Sequence, residues 1–548
     1  MDYGKLAELL FPHITTTARQ YREEIYPRRD LPEGAMVTRF APSPTGFLHI
    51  GGVFTSLVNE RCAHQSGGVF LLRIEDTDKK REQQDGISAI LDGLESFGIH
   101  FDEGVNKNGE SGAYGPYTQS QRGVIYQAFC KELVEKGLAY PCFCSEEELA
   151  DIRRQQEADK AMPGYHGAYA RCRDLSYEEI ERRVRAGESY VMRLRSPGRP
   201  GGRIKYKDVI KGQIEMDENI VDIVLLKSDG IPTYHFAHAV DDSLMGTTHV
   251  IRGDEWVSSV NIHLQLFQVL GMKPPKYAHV APVMKEEDGS KRKLSKRKDP
   301  EAAVSYFTQE GYPKESVLEY LLTLANSTYE DWRRANREQP YTAYPFQLGK
   351  MGQSGALFDL QKLHSVSAEV ISRMTAAQVA AGALDWAGEF DPELHRCLAA
   401  DRDYTEGLFA IDRGGKKPRK DIAKWSDVRG YCAYFFDELF RRDEALEMDA
   451  GLQKQVLARY LEVYDEADDK DAWFGRMKEI CPDLGFAPEV KLFKAAEPGT
   501  YKGHVGDVSA VVRMAVTGRH NTPDLHAVMA LLGGRRCRAR IAAYMEQL

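Results

Sequence analysis

The sequence is poor in several things, and each shortage excludes a class. Nine cysteines in 548 residues, of which only Cys142 and Cys144 stand close together, cannot form a disulfide framework. A reducing cytoplasm is therefore the expected compartment. No apolar run approaches the roughly 18 residues of a membrane span. Met1–Gln20 carries Asp2, Glu8 and His13 and shows no basic-then-apolar leader, so no secretory signal is expected. Positive charge is also short: 73 Lys and Arg against 82 Asp and Glu leave a net charge of -9. That excludes purely electrostatic, histone-like binding of nucleic acid. Any contact with a polyanion must come from local strips. The densest is Lys285, Lys291, Arg292, Lys293, Lys296, Arg297 and Lys298, which by charge alone is equally a solvated loop.

What is present suits a multidomain globular protein. The chain is 42% hydrophobic and 28% charged, enough to build real cores. Its length corresponds to about three to five domains. Residues 1–35 read as a polar lead-in ending in two closely spaced prolines, a linker pattern. From Met36 the chain alternates: a strand over 36–41, a helix from His49, a strand over 69–74 and a helix over 86–97. This alternation predicts a doubly wound α/β domain. Residues 115–225 break the rhythm and read as an insertion, and the α/β pattern returns at Thr233–Leu244 and His249–Arg252. From about 370 onward the pattern is helical, with stripes such as Val505–Val516 and Leu525–Leu532 ending near Gly518 and Gly533.

Two short segments concentrate chemistry. Ala41–Gly52 joins a first parallel strand to a helix N-terminus, where anions bind in such sheets, and His49 sits at the helix start. Lys293-Leu-Ser-Lys-Arg297 follows a Glu-Asp-Gly-Ser turn and offers two lysines flanking a serine, suited to a developing pyrophosphate. Singly, each is a common turn or basic loop. Together, far apart and separated by an insertion, they are much more specific.

These blocks resemble the bacterial-type glutamyl-tRNA synthetases, class I aminoacyl-tRNA synthetases. His49-Ile-Gly-Gly52 is similar to the family's "HIGH" element with Gly in the last place, and Lys293–Arg297 to its "KMSKS" element. Arg39–Gly46, Arg73–Asp78, the stretch from Tyr234 to Trp256, and the tail from Asp507 to Leu525 also match. The likeness covers nearly all of the chain except its first 35 residues.

The resemblance implies a Rossmann-type catalytic domain with an α+β insertion, followed by an all-α anticodon-binding half. On the sequence, the boundaries fall at 1–35 (extension), 36–114 and 226–300 (catalytic halves), 115–225 (acceptor-stem insertion), 301–369 (connective) and 370–548 (anticodon). It implies a glutamate–tRNA ligase using ATP with Mg²⁺, L-glutamate and tRNA(Glu), with tRNA(Gln) open as a second acceptor, acting as a monomer away from membranes. His49, Lys293 and Lys296 are implied as catalytic residues. Arg39, Ala41, Ser43, Glu75, Tyr234, His238 and Arg252 are implied to hold glutamate, with Glu75 on the α-amino group and Arg252 on the side-chain carboxylate. His49, Gly51, Glu255 and Lys296 are implied to bind ATP. His238 departs from the Asn common at that place in bacterial members.

Some relatives of this kind hold structural zinc with a Cys-x-Cys pair, which here would be Cys142 and Cys144 with Cys172. Tyr165, His166 and Tyr169 all remain open as the fourth ligand. Strips such as Arg413–Lys420 and Arg535–Arg540 are candidate tRNA contacts, or simply solvated helix faces. The rival readings are a glutaminyl-tRNA synthetase, a tRNA-modifying paralogue and a catalytically inert tRNA-binding protein. Arg252 and the helical tail speak against the first, the tail against the second, and His49 with both lysines against the third.

Overall fold

A computed structural model describes residues 1–44, 48–78, 85–295, 297–415 and 417–548. It contains two compact units, Met1–Tyr306 with Leu321–Asp359, and Phe307–Tyr320 with Leu360–Leu548.

The first unit is built on a parallel sheet. Val37–Phe40 pairs with Val69–Leu72 in register from Val37 opposite Val69 to Phe40 opposite Leu72. The second strand pairs in turn with Glu103–Asn106. Its continuous apolar run is explained by burial on both faces: Phe70, Leu71 and Leu72 are inaccessible. A second parallel pair, His249–Gly253 with Lys276–Val280, lies on the other side of the first strand. Thr248 N donates to Val37 O at 3.0 Å and ties the two together. Strand order thus reverses beside Val37–Phe40, and the crevice at the carboxyl ends of these strands is where such sheets take ligands. The helix Ile50–Gln65 packs on the first two strands through Ile50, Val53, Phe54, Leu57 and Val58. The helix Tyr234–Leu244 buries Phe236, Ala237, Ala239, Val240 and Leu244.

The insertion is an antiparallel sheet of Ala139–Cys142, Val191–Leu194 and Val224–Leu226, followed along the chain by two elements that periodicity did not reveal. One is the hairpin Arg203–Asp208 with Gly212–Asp217; the other is the hairpin Met284–Glu287 with Ser290–Lys293, which carries the lysine-rich loop. The apolar run Ile220–Leu226 forms a strand only over Val224–Leu226, because Asp222 turns inward. Its carboxylate accepts from Tyr140 Oη at 2.7 Å and Ser196 N at 2.8 Å.

Residues 1–35 are not a linker. The helix Tyr3–Leu10 starts on Asp2, whose side chain accepts from Lys5 N, and packs on Gly123–Glu135. Leu6, Leu10, Phe11, Ile14, Tyr21 and Tyr26 belong to the main core of this unit. Arg22 grips Glu132 with two hydrogen bonds of 2.9 and 3.0 Å, and Arg29 grips Glu103 at 2.8 and 2.7 Å. Average polarity concealed a short amphipathic helix whose apolar residues all fall on one side.

The second unit is helical. The helix Val505–Thr517 ends on Gly518 at φ +67°, where a Cβ would lie 2.8 Å from Arg441 O. Its core runs through Val508, Val511, Val512 and Ala515 to Val528 and Ile541. The Arg535–Arg540 strip is largely structural: Arg538 donates to Tyr464 O at 2.7 Å, and Arg540, buried, donates to Tyr434 O at 2.6 Å and Val516 O at 3.0 Å. Arg413 likewise donates to Phe409 O at 2.8 Å and Ile371 O at 2.7 Å.

Candidate active site

At the carboxyl ends of the parallel strands a cleft of about 540 Å³ opens. Arg39, Ala41, Ser43, His49, Gly51, Glu75, Tyr234, Arg252, Glu255 and Lys293 all line it. The early histidine loop and the later lysine-rich hairpin, over 240 residues apart in sequence, therefore face one cavity. Two expected residues are not among the lining. Lys296 lies outside the described residues. His238 is fully buried behind Tyr234, with Nε2 3.0 Å from Tyr277 Oη and Nδ1 2.9 Å from Asp242 Oδ2. Its side chain packs inward from the buried face of its helix and is not among the residues that line the cleft.

His49 caps the helix that it opens. Its Nδ1 accepts from Gly51 N at 2.9 Å, and a Cβ on residue 51 would sit 3.0 Å from that same nitrogen. Lys293, also in the lining, has no carboxylate within ion-pair distance among the described residues, whereas its hairpin neighbours do. Arg292 binds Asp299 at 2.6 and 2.7 Å, and Lys285 pairs with Asp299 and Glu301. Asp299 also accepts from Ser295 N at 2.8 Å. It anchors the loop, and Arg292 foremost holds its carboxyl far below the usual carboxylate range. No motif in the sequence marked Asp299.

Beneath the floor lies a buried ionic cluster. Arg73 donates to Asp242 at 2.7 Å and to Glu75 at 3.1 Å, and Arg39 Nε approaches Asp242 at 3.2 and 3.3 Å. Asp241 accepts from Arg122 at 2.7 Å, Tyr126 at 2.7 Å and Gln119 at 2.8 Å. Burial drives the Asp242 carboxyl up, but Arg39, Arg73 and His238 outweigh it and hold it well below its ordinary value. For Glu75 the balance is reversed: burial keeps its pKa above the ordinary value despite Arg73 and Arg39. Such a cluster is costly to break, since removing one partner leaves a buried charge uncompensated.

Arg252 is different in kind. It is buried, yet no carboxylate lies within ion-pair distance among the described residues. Its Nε donates to His279 Nε2 at 3.2 Å, Nη1 to Tyr234 Oη at 3.1 Å, and Nη2 to His263 Nδ1 at 3.2 Å and Trp256 O at 3.4 Å. Burial, helped by Arg252, depresses His235 to about 4, and burial takes His238 to about 3. Burial likewise holds His263 and His279 below their ordinary values. The surrounding imidazoles are thus neutral, and Arg252 remains a cation among neutral partners. A site of this composition selects an anion.

In the insertion, the Sγ atoms of Cys142, Cys144 and Cys172 lie within 4.8 Å of one another. Cys144 Sγ is 3.6 Å from Cys172 Sγ and 3.3 Å from Tyr165 Oη. A tetrahedron with metal–sulfur bonds of about 2.3 Å has edges of roughly 3.8 Å, so the donor set fits zinc. His166 Nε2 meets Met162 O at 2.8 Å and Tyr169 Oη meets Asp159 at 2.8 Å, whereas Tyr165 Oη lies beside the thiols and accepts from Cys172 N at 2.9 Å.

Residues 35–365 match the family described as tRNA synthetases class I (E and Q), catalytic domain, and residues 500–545 match an anticodon binding domain. The chain is 52% identical to the glutamate–tRNA ligase of Clostridium perfringens (strain 13 / Type A), over 99% of this chain and 100% of that protein. It is 48% identical to the glutamate–tRNA ligase of Sorangium cellulosum (strain So ce56), over 98% and 100%. Among solved structures it resembles a glutamate tRNA ligase from Elizabethkingia meningosepticum CCUG26117 in complex with its amino acid. That likeness has a TM-score of 0.74 at 26% identity, covering 94% of this chain and 99% of the other.

Proposed function

We propose that this chain, which belongs to the class I tRNA synthetase family for glutamate and glutamine, is a glutamate–tRNA ligase working through the cleft described above. The observation that carries this reading is the convergence of His49, Lys293 and Arg252 on one cavity. In the first step a glutamate carboxylate oxygen attacks the α-phosphate of ATP, an acyl-phosphate bond forms, and pyrophosphate leaves with the bonding electron pair. In the second, the 3′-terminal ribose hydroxyl of tRNA(Glu) attacks the acyl carbon and AMP leaves.

Neither step needs a covalent enzyme intermediate, so the protein positions its reactants and stabilises charge. Arg39 reaches the cleft with its Nε held by Asp242, so its terminal nitrogens face the substrate. Glu75 takes the α-amino group. Arg252 and the Tyr234 hydroxyl take the side-chain carboxylate. Four of the five N–H groups of Arg252 already meet neutral acceptors. The remaining N–H on Nη1 and the Tyr234 proton are the donors for that carboxylate, a tighter reading than a free guanidinium fork. A neutral amide cannot supply the charge that Arg252 awaits, so glutamate is favoured over glutamine.

His49 and Lys293 stabilise the phosphates, and Glu255 orients the adenosine end against Gly253, where a side chain would displace it. Mg²⁺ arrives as the ATP complex and neutralises phosphate charge. Cys142, Cys144 and Cys172, with Tyr165 beside them, would hold a zinc ion that serves the insertion's structure. The insertion (115–225) meets the acceptor stem, and residues 370–548 read the anticodon. The protein works as a monomer in the cytoplasm, consistent with nine free thiols and no helix among the described residues long and apolar enough to cross a membrane.

Charging purified tRNA(Glu) and tRNA(Gln) side by side, with glutamate and with glutamine, tests the assignment. Glutamate on tRNA(Glu) is the expected product; glutamine on tRNA(Gln) alone would overturn it. Glutamate on tRNA(Gln) as well would extend the acceptor range without changing the chemistry.

A further inference from the structure

Arg252 is held by a relay that begins away from the cleft. Asp208 ends the strand Arg203–Asp208 of the insertion's hairpin and is fully buried. Its Oδ1 accepts from Ile210 N and Lys211 N, each at 2.9 Å. Its Oδ2 accepts from His279 N at 3.2 Å and lies 2.7 Å from His279 Nδ1. His279 Nε2 in turn lies 3.2 Å from Arg252 Nε. His279 is also fully buried, and neither it nor Asp208 lines the cleft.

The two neighbours of His279 select a single tautomer. A carboxylate has no proton to give, so Nδ1 carries the proton and donates it to Asp208. A guanidinium only donates, so Nε2 must present its lone pair to Arg252. The ring cannot rotate freely, because it stacks on Tyr277 at 5.9 Å with an interplanar angle of 9°. The Arg252 guanidinium lies over the same Tyr277 ring at 5.1 Å.

We propose that Asp208 and His279 form a positioning pair that fixes the guanidinium plane of Arg252, and thereby sets the choice of a carboxylate over an amide at the amino-acid site. This rests on the reading of the cleft as a glutamate-activating site. An arginine held only at its terminal nitrogens can pivot to satisfy a neutral ligand. One held at Nε as well presents a fixed edge, and fixed geometry is what separates charge recognition from mere proximity.

Asp208→Asn is the sharpest variant. Its amide oxygen can still serve Ile210 N and Lys211 N. Its NH₂ group then meets His279 Nδ1, forces the opposite tautomer and aims a proton at Arg252 Nε. His279→Ala removes the acceptor, and His279→Gln restores one within reach of Arg252. Glutamate-dependent ATP–pyrophosphate exchange, measured with tRNA present, gives separate KM values for glutamate and ATP. The same assay gives kcat/KM for glutamate relative to glutamine. In D208N and H279A the glutamate KM should rise about tenfold or more, the cost of one hydrogen bond to a charged group. The glutamate-to-glutamine ratio should fall in step, the ATP KM should hold, and H279Q should recover most of the loss. An unchanged glutamate KM in H279A, or a parallel rise in the ATP KM, would overturn the inference. So would failure of D208N and H279A to fold without recovery in H279Q, which would make the pair purely structural. Wild-type protein that charges no tRNA with glutamate would instead overturn the functional reading beneath it.

Discussion

His49 Nδ1 accepts the backbone N–H of Gly51 at 2.9 Å, so the neutral ring carries its proton on Nε2. One side chain therefore does two jobs, capping a helix with one nitrogen and offering a donor with the other. His49→Ala should lose both: roughly 10²–10³ in kcat, as for removal of one charge-stabilising donor, and up to about 1 kcal/mol of stability from the lost cap. His49→Asn separates them, because Asn is a good cap but its amide donor falls short of the place that Nε2 occupies. Its thermal midpoint should match wild type while its exchange rate stays low. Full activity in H49N would remove His49 from the chemistry.

Arg252→Ala should abolish glutamate-dependent ATP–pyrophosphate exchange measured with tRNA present. The protein should remain folded, since the partners left behind, His279, His263 and Tyr234, are neutral groups and no buried carboxylate is orphaned. Exchange kinetics that match wild type would take Arg252 out of the amino-acid site.

The thiol cluster should hold one equivalent of zinc in protein purified without chelator. Cys172→Ser should lower zinc content and thermal midpoint together, with charging falling only as the insertion loosens. Less than about a tenth of an equivalent by metal analysis would count against the site, whose geometry fits a four-ligand structural centre.

Acid should destabilise the first unit. Burial depresses His238 to about 3 and His249 to about 4, and burial with Arg252 takes His235 to about 4. Unfolded histidine titrates near 6.5, so between those values the unfolded chain binds more protons than the folded one. The stability these groups supply is complete above about pH 6.5 and is lost as pH falls through that window, by about 1.4 kcal/mol per proton and pH unit. Urea unfolding at a series of pH values should show stability declining steeply below 6.5. A flat profile from 7 to 5 would contradict the neutral-histidine environment of Arg252.

The sheet was legible because its strands are buried on both faces and read as unbroken apolar runs, Val69–Leu72 above all. The cleft was legible at His49, Arg39 and Lys293 because these residues sit in compact blocks of unusual composition. What stayed hidden has a common cause. Asp208, His263, His279 and Asp299 act from elements that carry no motif, and their meaning is pairwise: a buried histidine is informative only beside the arginine it holds. The two hairpins were missed because their strands are charged on one face and too short for a clear period of two. The N-terminal helix was missed because eight residues starting at Tyr3 are too few to stand out from a polar average.

The most direct test is a crystal structure of the protein with a non-hydrolysable glutamyl-adenylate analogue. The phosphate isostere is predicted to lie between His49 Nε2 and Lys293 Nζ, with the glutamyl carboxylate on Arg252 and Tyr234. An analogue bound elsewhere, or bound in the cleft with His49 and Lys293 both out of contact with the phosphate position, would contradict the account.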